Sequence, residues 1–214
     1  MYLALPFIYL SILFLVAFFS ILLLMKRGGK QQDFLCLYLC ISFSLECLMF
    51  LIQRFFNDNS TFGFLYNIYI LFCSFFFLKY FNREQKREFT LFSNIIFLSF
   101  FILYIIFFYK SYKEVNQAIG ISFALVYIIY SLLYFYGKIK YPDSKSITSD
   151  PKFWVSCALL FWGVFFLLRI IPRYLFDKMD EQVLIISQSF FLVINILFYS
   201  FFFISLIKYS KKYE

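Results

Sequence analysis

Apolar and polar residues fall in blocks along this chain. Runs of about twenty apolar side chains are separated by short polar stretches. A helix of that length, rising 1.5 Å per residue, matches the ~30 Å hydrocarbon core of a bilayer. Seven runs qualify: Tyr2–Met25, Phe34–Gln53, Phe62–Phe81, Phe89–Tyr109, Val115–Tyr136, Phe153–Phe176 and Gln182–Ile207. The pattern predicts an all-α integral membrane protein, a single seven-helix bundle over residues 1–214. Polar and turn-forming residues mark the breaks, among them Asn57–Asp58–Asn59–Ser60 and Asp150–Pro151. The first run has no basic stretch before it and no small-residue cleavage motif, and it is longer than the apolar part of a signal peptide. It reads as a retained helix.

Composition sharpens this picture. Hydrophobic residues make up 63% and charged ones 15%, against roughly 45–50% and 25% in soluble domains. Too little polar surface remains to coat a globule in water. The net charge of +8 resides in the short connections, where basic side chains set topology and meet anionic headgroups. A nucleic-acid partner is therefore not expected; the lipid bilayer is. Lys26, Arg27, Lys30, Lys79, Arg83, Lys86, Arg87, Lys138, Lys140, Lys145, Lys152, Lys208, Lys211 and Lys212 fall on one side, fourteen in all. Arg54, Lys110, Lys113, Arg169, Arg173 and Lys178 are the six on the other. Basic residues stay inside, so the N-terminus is expected outside and the C-terminus in the cytoplasm. For a bacterial protein this is multi-pass insertion in the inner membrane.

Ionisable side chains within a span cost about 2.5–3.5 kcal/mol on insertion scales. Glu46, in the second helix, is the clearest example. Arg169, in the sixth, lies at a matching depth, on one face with Arg173 and Trp162, so Glu46 and Arg169 are expected partners. Pro172 between the two arginines removes a backbone donor and predicts a kink. Asn67, Gln117, Gln188 and Asn195 add polar groups in the outer halves of three further helices. Together with Glu46, Arg169 and Arg173 they make a candidate ligand-binding set, opening outward and suited to a small apolar or amphipathic ligand. A structural account, in which these residues merely join helices, explains each of them as well.

The chain has no histidine, the commonest general base, and no HExxH or Walker motif. No enzyme activity and no cofactor are expected. Cys36, Cys40 and Cys47 share a helix face, a pattern that soft metals use. Without histidine or a CxxC pair they read as packed apolar side chains, with no metal and no disulfide.

Lys140–Tyr141–Pro142, followed by Ser149–Asp150–Pro151–Lys152–Phe153–Trp154 at the start of the sixth helix, resembles bacterial seven-transmembrane sensor modules of the kind that precede histidine kinase domains. The resemblance covers the whole chain in layout and the Asp150–Trp154 stretch in motif. It implies a receptor-like module. With the sequence ending at Glu214, signalling would pass through a separate cytoplasmic partner. A small transporter or permease subunit, and an assembly or immunity protein without a ligand, are the alternatives.

Overall fold

The computed structural model describes residues 4–27, 32–55, 60–83, 86–110, 116–142, 146–175 and 181–212. Among these no strand occurs. Seven helices form: α1 (Leu5–Arg27), α2 (Leu35–Phe55), α3 (Ser60–Asn82), α4 (Arg87–Lys110), α5 (Gln117–Lys140), α6 (Pro151–Leu175) and α7 (Glu181–Lys212). A 3-10 turn, Ile147–Ser149, precedes α6. All seven helices are long and apolar enough to cross a membrane, so the chain is all-α and of the multi-pass membrane type.

Several helices run further than the apolar runs predict. α5 continues past Tyr136 to Lys140, and α7 past Ile207 to Lys212. Helix formation needs backbone hydrogen bonds, which do not stop where hydrocarbon stops. Long basic side chains can bury their stems and keep their heads in water. α6 is continuous past Pro172 to Leu175.

The chain clusters into two compact units, residues 1–43 with 143–214, and residues 44–142. The first contains α1, the opening turns of α2, α6 and α7. α7 packs against both α1 and α6. Tyr9, Leu13, Val16, Ala17, Ser20 and Leu23 form the buried stripe of α1, at the three- and four-residue steps of one helix face. Ile194, Phe198, Phe202, Ser205, Leu206 and Tyr209 repeat the pattern on α7. Ala17, Ser20, Ala158 and Ser205 are small and buried, the residue sizes that let helices approach closely in lipid. Tyr38 of α2 stacks on Phe202 at 5.4 Å between ring centroids.

The second unit contains the rest of α2 with α3, α4 and α5, the last three packed on one another. Its interior is aromatic. Phe77 meets Tyr127 edge-on at 5.2 Å, and Phe81 contacts Tyr130 and Tyr134 at 6.3 and 6.1 Å. Tyr104 of α4 donates to the Asn67 carbonyl of α3 at 3.1 Å. α4 buries Phe89, Ser93, Phe100 and Tyr104 on one face, while Leu91, Ile95, Leu98, Ile102 and Ile106 are exposed on the rest. Such an apolar surface would aggregate in water and is ordinary in lipid.

Candidate functional site

The most developed polar site lies in the first unit, where α1 and α7 finish and α2 and α6 begin. Gln32 and Asp33 sit just ahead of α2. The Gln32 side chain, buried, donates from Nε2 to the Ser20 carbonyl of α1 at 3.0 Å. Tyr209 of α7 donates its phenol to Asp33 Oδ2 at 2.6 Å. Lys152, at the start of α6, places Nζ 3.8 Å from the same oxygen. The lysine side chain is 4% exposed and the aspartate 10%. One carboxylate thus joins α2, α6 and α7, with Gln32 tying in α1. The phenol bond is short, as expected for a charged acceptor. The lysine contact is an ion pair longer than a hydrogen bond.

Local sequence explains how each group is presented. Asp150 caps α6, its Oδ1 accepting from the Lys152 amide at 3.0 Å, in the manner of an N-cap carboxylate. Ser156 returns its hydroxyl to the Lys152 carbonyl at 2.8 Å, and Ser205 of α7 donates to the Pro151 carbonyl at 3.0 Å. Trp154 donates to the Thr148 carbonyl at 3.0 Å, holding the turn before α6. Asp33 and Phe34 have φ of 50° and 61°. Left-handed backbone costs roughly 1–2 kcal/mol per L-residue; aspartate tolerates it, whereas a bulky phenylalanine is a genuine outlier. Strain of this kind persists where the surroundings hold it. Here Gln32 is held by Ser20, and Asp33 by Tyr209 and Lys152.

The outer-half residues expected as a binding set divide between the two units. Arg169 and Asn195 come together in the first unit through aromatic neighbours. The Arg169 guanidinium lies 4.5 Å from the centre of the Phe191 ring. Phe191 contacts Trp162 at 5.9 Å and Phe166 at 5.8 Å, and Trp162 stacks on Phe166 at 4.8 Å. Trp162 Nε1 then donates to Asn195 Oδ1 at 2.9 Å. Gln188, one heptad before Asn195, is exposed. Arg173 lies outside the described side chains. Glu46 is half-buried and belongs, with Asn67 and Gln117, to the second unit. Asn67 is fully buried, while Gln117 is exposed. Arg169 belongs to the first unit, so the expected Glu46–Arg169 partners fall in different units.

The five cysteines are free thiols, and Cys36 and Cys40 approach at 3.9 Å between sulfurs one helical turn apart. Among the described residues no group of three or more Cys, Asp or Glu side chains is placed to hold a metal.

Sequence reasoning missed the Asp33 site. From the sequence, Lys152 reads as a topology-setting charge in a connection, and no pattern singles out Asp33 or Tyr209. The available signal was an acidic residue directly before one span and a lysine at the start of another, on the side rich in basic residues. No protein-family model, curated protein or solved structure matches this chain.

Proposed function

We propose that this protein is a small sensor- or receptor-type module of the bacterial inner membrane. In this reading the N-terminus is outside, the C-terminus is in the cytoplasm, and the output passes to a separate cytoplasmic partner. The observation that supports it is the double load on α6 and α7. At one end these helices carry the buried Asp33–Lys152–Tyr209 cluster. Towards the other they carry the Arg169–Phe191–Trp162–Asn195 cluster. Lys152 and Arg169 are about 26 Å apart along one helix at 1.5 Å per residue. An amphipathic ligand with an anionic group matches a guanidinium set among aromatic rings. A small shift of α6 against α7 would then reach a strained, ion-paired junction, the type of element that has discrete alternative packings.

The test is a perturbation at one end read at the other. In a background with the five cysteines replaced, Gln188→Cys carries a trifluoromethyl label, observed by fluorine NMR in nanodiscs. Tyr209→Phe removes one oxygen at the far end. Coupled ends predict a shifted or second resonance at position 188. An unchanged spectrum removes the relay and with it the sensor reading. Sidedness is tested separately. A reporter active only in the cytoplasm, fused after Glu214, is expected to be active, and activity of an exclusively external reporter there contradicts the assignment.

A further inference from the structure

The three-helix packing of the second unit leaves three shielded polar atoms without a hydrogen-bond partner among the described residues. They are Asn82 Oδ1 on α3, Ser93 Oγ on α4 and Tyr130 OH on α5. Buried serines elsewhere settle their hydroxyls locally: Ser42, Ser74 and Ser131 each donate to the carbonyl four residues back. Ser93 is just as buried and does not. The Asn82 amide is fixed in orientation, because Nδ2 donates to Asn94 Oδ1 at 3.0 Å and so turns Oδ1 away from that bond.

The three groups also share a level. The Asn82–Asn94 bond sets Asn82 beside the residue that follows Ser93, and Phe81 touches the Tyr130 ring at 6.3 Å. They therefore fall within about two helical turns, roughly 11 Å, along the unit. An unmatched polar group in a hydrocarbon setting costs several kcal/mol. Ser93 and Tyr130 are buried outright, and Asn82, half-buried at the end of α3, adds a third shielded oxygen at the same level. All three groups are neutral, and a neutral partner meets them without burying a charge. It must donate to an amide oxygen and can donate to or accept from two hydroxyls. Water meets that requirement with the least volume, and buried waters of this kind typically make about three hydrogen bonds.

We propose that the α3–α4–α5 unit holds ordered internal water bound by Asn82, Ser93 and Tyr130. The hydration is a built feature of this unit, independent of any ligand at the Arg169 cluster. X-ray radiolytic footprinting of the full chain in nanodiscs tests it, because radicals generated from bound water oxidise a buried ring beside it. Tyr130 is expected to be labelled at a rate approaching that of exposed Tyr136, while Tyr38, buried in the first unit, stays protected. In parallel, Tyr130→Phe and Ser93→Ala are each expected to lower the melting temperature by a few degrees, since each removes a bond to water. Tyr130 as protected as Tyr38 overturns the proposal. So does a melting temperature that is unchanged or raised in both variants, the result for hydroxyls that were dry.

Discussion

The two units each contain an ion pair at the end of a helix, and the contrast between them separates distance from strength. In the second unit Lys140 lies 3.4 Å from Glu88, with side chains 42% and 71% exposed. In the first, Lys152 lies 3.8 Å from Asp33, and both are nearly shut off from solvent. The shorter contact is the one whose loss should cost less. Exposed charges are screened by water and salt, and their side chains lose entropy on pairing. Buried charges have no such alternative, so removal of one leaves the other stranded. The Asp33 pair does not owe its importance to net attraction, because desolvation offsets much of that. It matters because neither partner can be lost alone.

The same contrast extends to the interiors. The first unit ties most of the polar groups at one end through specific bonds that reach four helices, with Gln32 Oε1 the exception. The second distributes tyrosines and a few polar atoms through an aromatic core, and closes its end with surface contacts, such as Lys86 lying 3.2 Å from the centre of the Tyr141 ring.

Substitutions should rank accordingly. Lys152→Met, which leaves the Asp33 carboxylate buried, is expected to destabilise by about 3–5 kcal/mol, read as a lost folded fraction on titration with denaturant in detergent. Tyr209→Phe keeps the ring and removes the bond to a charged acceptor; a loss of about 1.5–3 kcal/mol is expected in the same titration. Asn195→Leu deletes the acceptor for Trp162, with a smaller loss of about 0.6 kcal/mol, the average for polar contacts between membrane helices. Its second readout is a change in tryptophan emission. Glu88→Gln should leave the melting temperature unchanged at physiological salt. A loss there as large as that of Lys152→Met would erase the distinction between the two units.

Much of the fold was legible because each span is an uninterrupted apolar run. All seven were found, with ends displaced by a few residues where helices continue through basic flanks. The buried junction was not legible. Tyr209 and Asp33 are 176 residues apart in sequence, and no local pattern announces that a lysine at a span boundary turns inward. The Arg169 cluster was half visible. Spacing placed Trp162 on the face of Arg169, but Phe191 is one of 36 phenylalanines, and nothing in the sequence distinguishes it. The positive φ at Asp33 and Phe34 had no signal at all, since neither position holds the glycine that usually marks such backbone.

The central claim is that Asp33 and Lys152 act as one unit at the junction of α2, α6 and α7, and a double-mutant cycle tests it most directly. Asp33→Asn, Lys152→Met and the double variant are unfolded under identical conditions. Both single variants should be strongly destabilised, and the double should recover most of the loss, because no charge is then left alone. Losses that simply add would show that the two side chains act independently, and would contradict the account.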